Sequence, residues 1–210
     1  MVNEKRLLFL GYEDNRLIDF LRGEDYDIVN RTNKLSLKEI KEISPSEIVS
    51  YGYRHIIKPD VIAEYPKIVN LHIAYLPWNR GEFPNFWSWL QNAPKGFSIH
   101  YINEGIDTGD ILIRRRIEGF FEEGETLSTS YEKLRIGIED LFIENWKKIA
   151  SGKLKQRPQD NSKGNHHYAR ELEDYKFLMA DGWDTLIEGI RKYGKEHGLW
   201  LFDENGNEIK

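Results

Sequence analysis

Residues 67–77 read Lys67-Ile68-Val69-Asn70-Leu71-His72-Ile73-Ala74-Tyr75-Leu76-Pro77. The run from Lys67 to His72 reads as a strand, and it is the fourth of a series. Before it come apolar runs at Leu7–Leu10, Tyr26–Val29 and Glu47–Ser50. Between these lie helical patterns at Asp14–Arg22, at Leu35–Ile43 with Ser36 as a cap, and at Pro59–Glu64, which opens on proline. Strand and helix in alternation predict an α/β fold, a mostly parallel sheet with helices on both faces. Such sheets bind ligands beyond the carboxyl ends of their strands. Asn70 and His72 fall at one of those ends.

Downstream the pattern changes. Leu76–Pro84 is rich in Pro, Gly and Asn and reads as a loop, followed by a helix over Pro84–Leu90. Gly96–Tyr101 and Ile111–Ile117 read as strands joined by Asn103–Asp110. A long helical pattern runs over Thr126–Ala150, with Leu134, Ile138, Leu141, Phe142 and Asn145 on one face. The polar stretch Ser151–Gly164 reads as a surface loop, Trp183–Tyr193 as a helix, and Leu199–Ile209 as a hairpin around Asn205-Gly206. Residues 1–150 are expected to form the catalytic domain, and residues 151–210 an extension of loop, helix and hairpin.

The composition limits the partners. The chain has 210 residues, 40% hydrophobic and 31% charged, with 35 acids, 30 bases and a net charge of −5. An acidic balance argues against a nucleic acid as the main partner, because phosphate backbones select basic surfaces. The absence of cysteine removes disulfides, thiolate metal sites and a cysteine nucleophile. The N-terminal apolar run is too short for a signal peptide and no stretch is long enough to span a membrane, so a cytoplasmic location is expected.

Three residues carry the chemistry. Asn70 and His72, two apart on a strand, share a face and can aim an amide N–H and an imidazole N–H at one point. A tetrahedral intermediate with a developing oxyanion requires that arrangement. Asp107, in Gly105-Ile106-Asp107-Thr108-Gly109-Asp110, sits in a glycine-flanked turn whose backbone can approach a ligand closely. Taken singly, an Asn at a strand end usually satisfies a turn, a lone His is more often structural, and an Asp between glycines is more often a turn residue. The pattern as a whole argues otherwise.

Asn-x-His followed by Leu-Pro and then Arg-Gly, with Ile-Asp-x-Gly after a strand, resembles the folate-dependent formyltransferases. The likeness is densest from Tyr53 to Arg116. It implies a Rossmann-like formyltransferase fold, 10-formyltetrahydrofolate as donor (with its 5-formyl analogue as a poor mimic), and Asn70, His72 and Asp107 as the catalytic trio. It also implies that the pterin lies between the Asn103–Asp110 loop, with Gly105 and Ile106, and the segment Tyr53–Ile57, with Ile56 and Ile57 either an apolar wall there or, equally, ordinary core residues. One departure is Ala74, where the family commonly has serine.

The same resemblance suggests the acceptor. The acids of Leu10-Gly11-Tyr12-Glu13-Asp14 stand where a ribonucleotide enzyme carries a phosphate loop, and acids there repel an anion. The methionyl-tRNA enzymes are longer, with a basic C-terminal domain. The stretch from Leu76 to Trp87, and the tail Lys163–Tyr168 with Gly182–Thr185, are similar to sugar N-formyltransferases acting on nucleotide-linked amino sugars. Trp78, Arg80 and Gly81 are the expected substrate contacts, Arg80 on a pyrophosphate, with a loop-bracing ion pair as its equal alternative, and Trp78 or another aromatic on a base. For Phe86, Trp87 and Trp89, core packing is the better expectation. His166 and His167 lack further ligands, so no metal is expected, and Lys153, Lys155 and Arg157 read as a solvated loop face. A homodimer is expected, built on the hairpin's alternate apolar residues. A hydrolase with water in place of the amine, and a folate-binding protein without turnover, are the other readings.

Overall fold

The computed structural model describes residues 5–13, 15–117, 119, 121–160 and 162–209. Residues 1–4 and Asp14, which enter the readings of the N-terminus, the first helix and the acidic turn, lie outside them.

Apolar strands and capped helices alternate through the first third of the chain. Strand β1 (Lys5–Gly11) leads into α1 (Arg16–Gly23), β2 (Tyr26–Arg31), α2 (Leu37–Ile43), β3 (Glu47–Tyr51), α3 (Pro59–Glu64) and β4 (Val69–His72). Each helix start has a local cause. The Asn15 side chain accepts the Leu17 N–H at 3.0 Å, Ser36 and Glu39 form a reciprocal capping box, and Pro59 stands at the first turn of α3. Parallel pairing joins β1 to β2 and β3, and β3 to β4.

After β5 (Arg80–Gly81), α4 (Pro84–Leu90), β6 (Gly96–Tyr101) and β7 (Ile111–Arg116) complete a six-stranded sheet in the order β2-β1-β3-β4-β6-β7. Its last two strands reverse direction in turn. Ile102 N–H donates to the Ile68 carbonyl at 2.9 Å, which sets the end of β6 against the start of β4. Tyr101 N–H donates to the Asp110 carbonyl, and Ile117 N–H to the Lys95 carbonyl, so β7 runs antiparallel to β6. The sheet is mixed and mostly parallel, as expected for an α/β fold of this kind.

The long helix α5 (Leu127–Ala150) buries Leu134, Ile138, Leu141 and Phe142, but Asn145 is only half-buried and Trp146 takes the next core position. Beyond it come β8 (His166–His167), a 3-10 stretch over Ala169–Leu178, a single 3-10 turn at Gly182–Asp184, and α6 (Ile187–Glu196). The helix expected from Trp183 therefore begins four residues later. The chain is held in the turn at Gly182, whose φ is +59°, and Trp183 is 49% exposed. The expected hairpin is a minimal one: Phe202 bridges Glu208, and Asp203 takes the turn through its backbone and carboxylate.

The chain forms two compact units. One comprises Met1–His72, Ile99–Ile113 and Glu139–Pro158; the other comprises Ile73–Ser98, Arg114–Ile138 and Gln159–Lys210. The division does not fall at residue 150, because α5 contributes to both. In the first unit, Leu8, Leu10, Leu35, Ile40, Ile48, Val61 and Ile68 form an apolar cluster. In the second, Phe86, Trp87, Trp89, Leu90, Leu127, Leu172, Ile187 and Ile190 do so, which makes the aromatic run of α4 core as expected. Among the described residues no helix is long and apolar enough to cross a membrane.

Asn15 is both a cap and a tie, since its amide also donates to the Tyr12 carbonyl at 2.8 Å. Replacing Asn15 by alanine is expected to lower stability by about 1–2 kcal/mol. Urea unfolding with an unchanged m-value is the measurement; a wild-type midpoint would show that the cap contributes nothing.

Candidate active site

The first unit brings Asn70, His72 and Asp107 together, and a fourth residue joins them. In the antiparallel register set by Ile68 and Ile102, Asn70 on β4 stands opposite His100 on β6. The Asn70 Nδ2 lies 3.1 Å from His100 Nε2 and 3.2 Å from Asp107 Oδ1. Asp107 Oδ1 is 3.3 Å from His100 Nε2, and Asp107 Oδ2 is 3.5 Å from His72 Nδ1. The carboxylate straddles two imidazoles whose rings stand at 87° to one another.

The hydrogen positions follow from the partners. His100 Nδ1 is 2.8 Å from the Tyr101 carbonyl, which can only accept, so Nδ1 carries the hydrogen. In the neutral ring Nε2 is then an acceptor, and one Asn70 N–H satisfies it while the other goes to Asp107. His100 is 1% exposed, and the side chains of His72 and Asp107 are 9% and 16% exposed. Low local dielectric strengthens contacts of this kind. Sequence reasoning missed His100. The signal was available only in the register: once β6 reverses against β4, position 100 faces position 70.

The loop that delivers Asp107 is built tightly. Asn103 Oδ1 accepts from the Gly105 N–H at 3.1 Å and from the Thr108 hydroxyl at 2.7 Å. Asp107 itself adopts a left-handed φ of +50°. A Cβ at Gly109 would stand 1.8 Å from the Tyr101 carbonyl oxygen. Glycine is required there because the loop returns against the end of β6.

Residues 18–144, more than half of the chain, match the family model described as formyl transferase. This chain belongs to the formyl transferase family. A crystal structure of the formyltransferase PseJ from Anoxybacillus kamchatkensis, in complex with UDP-4,6-dideoxy-4-formamido-L-AltNAc and tetrahydrofolate, is 41% identical to it. That likeness covers 90% of this chain and 99% of the other, with a TM-score of 0.84. A 4-N formyltransferase from Francisella tularensis, 21% identical with a TM-score of 0.69 over 98% and 96% of the two chains, shares the fold. Methionyl-tRNA formyltransferase from Kosmotoga olearia is 32% identical over 164 residues, 76% of this chain and 51% of that protein. The chain spans about half the length of the curated relatives it matches.

The other residues singled out in this formyl transferase divide sharply. Ile56 is 80% exposed and Ile106 is 39% exposed, so neither is core. Ile57 packs against the first unit's apolar cluster and, with Tyr53, Ile56 and Lys58, borders a hollow of about 10 Å³, room for one water. In the second unit, Arg80 is 6% exposed, and its Nε and a terminal nitrogen donate to Gln159 Oε1 at 3.2 and 3.0 Å. That is a brace within the protein. The reason for glycine at 81 is packing: a Cβ there would lie 2.3 Å from the His167 carbonyl oxygen. Trp78 is half-buried, with its ring edge-on to Phe202 at 4.9 Å. Phe202 and Trp200 are themselves buried, so the hairpin's apolar residues already have a surface within the chain, and Ile209 remains 54% exposed.

Ala74 proves informative. Its carbonyl accepts the Ser98 hydroxyl at 2.8 Å, and Ser98 Oγ in turn accepts the Leu76 N–H at 3.1 Å. A hydroxyl from β6 thus bridges the backbone on either side of Tyr75. His166 is exposed and His167 is buried against Glu171; among the described residues no three His, Asp or Glu side chains gather as metal ligands would. Lys153, Lys155 and Arg157 are exposed, as expected.

Gly109→Ala is expected to destabilise the protein by about 1–3 kcal/mol, because the loop bearing Asp107 must move away from β6. Chemical unfolding checks this, and wild-type stability in the variant would contradict the close approach.

Proposed function

We propose that the protein transfers the formyl group of 10-formyltetrahydrofolate to the primary amine of a nucleotide-linked amino sugar. The observation that carries this reading is the 41% identity to PseJ across nearly all of that chain, whose complex holds a formylated UDP-sugar and tetrahydrofolate. The convergence of Asn70, His72 and Asp107 supports the chemistry.

The neutral amine attacks the formyl carbon, forming the new C–N bond and a tetrahedral intermediate. His72 and Asn70 donate N–H groups to its oxyanion. Asp107 accepts the proton leaving the amine and passes it to N10 of the folate as the old C–N bond breaks. In the structure both Asn70 hydrogens have acceptors, His100 Nε2 and Asp107 Oδ1. When Asp107 takes up a proton its pull on Asn70 weakens, and that N–H turns to the oxyanion at the moment charge develops there. His100 holds the other hydrogen and keeps the amide plane oriented.

On the donor side, the pterin lies over the exposed face of Ile56 and the Gly105–Ile106 turn, with Ile57 beneath, because the hollow behind them admits no ring. On the acceptor side, Trp78 is the aromatic available for a base. Arg80 acts through the loop it braces, and Gly81 through the close approach it permits. No step requires a metal.

A second reading has one observation in its favour. The matching curated relatives formylate methionyl-tRNA by their names, although this chain covers only 51% of the Kosmotoga olearia protein. The test offers the protein 10-formyltetrahydrofolate with thymidine- and uridine-linked amino sugars and, separately, methionyl-tRNA. A one-formyl mass gain on a sugar is the expected result. Formylated methionyl-tRNA, or formate released without acceptor, would replace this reading by the tRNA or hydrolase one. Asn70→Ala is expected to lower turnover by about 10²–10³-fold with the fold intact, the usual loss of one oxyanion donor. Near wild-type turnover in a folded variant would remove Asn70 from the mechanism.

A further inference from the structure

One polar network in the second unit belongs to no site described above. Asn165 Oδ1 accepts the Asn79 N–H at 2.7 Å, and the Asn165 carbonyl accepts the Arg80 N–H at 3.1 Å. The Glu82 N–H donates to the His167 carbonyl at 2.9 Å, and β5 pairs with β8 in parallel, Arg80 beside His166 and Gly81 beside His167. Three backbone N–H groups of residues 79–82 are therefore anchored on Asn165 and His167, some 85 positions later. A Cβ at Gly164 would stand 2.0 Å from the Pro77 carbonyl oxygen, so the approach extends to the start of the loop.

Asn165 and His167 are in turn held by one another. The Asn165 amide nitrogen lies 2.6 Å from Gln91 Oε1, 3.0 Å from His167 Nε2 and 3.2 Å from Asn79 Oδ1. His167 Nδ1 is 2.8 Å from Glu171 Oε2, and the imidazole stacks on Trp87 at 4.0 Å and 12°. The assignment that satisfies these contacts puts a hydrogen on Nδ1, donated to Glu171, and leaves Nε2 as acceptor for Asn165. A surface loop needing only closure does not require a buried imidazole with a carboxylate behind it.

We propose that Asn165 and His167 are positioning residues for the acceptor, fixing the backbone of residues 79–82 that meets the nucleotide-linked sugar. This rests on the proposed acceptor and says which parts of the chain shape its loop. They touch neither the reacting atoms nor the donor; they act through the loop.

The arrangement makes the hold dependent on pH. Protonating His167 at Nε2 replaces an acceptor by a donor that faces the Asn165 amide, and the new N–H turns to Gln91 Oε1, 3.2 Å away. Burial pushes the His167 imidazole below its ordinary 6.5, against the Glu171 carboxylate, which raises it, and with His166, which lowers it further. On the segments packed against it, Arg80 gives two N–H groups to Gln159 and Glu82 carries a carboxylate on the residue whose N–H meets the His167 carbonyl, while Trp87 of α4 and Gln91 just beyond its end are uncharged. A depressed folded-state value means the folded protein binds fewer protons than the unfolded one. The hold is intact at 6.5 and above, and is lost only at the lower pH where the folded imidazole takes up its proton.

Two measurements on the full chain test this. Amide exchange read by mass spectrometry on the peptide spanning residues 78–83 needs no substrate. Asn165→Ala is expected to speed exchange there about tenfold, the equivalent of losing one or two hydrogen bonds, and His167→Gln keeps a side chain of similar reach should the first variant fold poorly. Kinetics with the sugar should show KM for the acceptor raised about tenfold, with KM for the folate and kcat within about twofold. The ratio of wild-type to His167→Gln acceptor KM should rise below pH 6.5 and be flat above it. Unchanged exchange overturns the inference whatever the acceptor. Faster exchange with both KM values raised alike, or with neither raised, also overturns it, because the network is then merely structural. Failure to formylate any sugar sinks the proposed acceptor instead, and exchange alone then decides whether Asn165 and His167 fix the loop.

Discussion

The hydrogen bond from Ile102 N–H to the Ile68 carbonyl, 2.9 Å long, and the Asn70–His100 contact two residues along fix β6 antiparallel to β4, and the whole candidate site depends on that direction. The parallel part of the sheet can present Asn70 and His72 at a strand's carboxyl end, but it offers no third group there by itself. Because β6 runs the other way, its final residues arrive beside the first residues of β4. His100 then meets Asn70, and the loop leaving β6 carries Asp107 back over the same place. A carboxylate so delivered needs a tight return. That explains both the glycine at 109, pressed against the Tyr101 carbonyl, and the left-handed backbone at Asp107.

This dependence separates what was legible in the sequence from what was not. Alternating apolar runs and capped helices are local, so β1 to β4, α2, α3 and α4 were readable within two residues at their ends. That Asn70, His72 and Asp107 would meet was readable because a motif carries them. His100 was not, since its role comes from antiparallel register, a long-range property with no local signature. The helix expected at Trp183 failed for a similar reason: an amphipathic pattern marks a face but not where a positive-φ glycine ends the preceding turn. The 3-10 stretch over Ala169–Leu178 and the strand at His166–His167 were also missed. Neither has a periodic apolar pattern, and the strand forms only because His166 and His167 pair with the earlier segment Arg80–Gly81.

Arg80 shows the same limit at the level of one side chain. A loop arginine beside glycine suggests an anion, and the sequence contains nothing to say whether the guanidinium points outward. In the fold it is buried, and an amide almost 80 residues away accepts two of its N–H groups. An uncharged partner suits that position. A carboxylate in its place would have to be desolvated along with the guanidinium, and such pairs often gain little in stability. Gln159 accepts from Nε and one terminal nitrogen without adding a charge of its own.

Ala74 and Ser98 extend this argument from position to chemistry. If a site needs a hydroxyl at a point in space, the chain can supply it from any strand that passes there. Here the hydroxyl bridges the Ala74 carbonyl and the Leu76 N–H, groups that would otherwise be buried without that partner. The backbone on either side of Tyr75 is therefore bonded without any hydroxyl at position 74 itself. The hydroxyl that does this comes from β6, the strand that also carries His100.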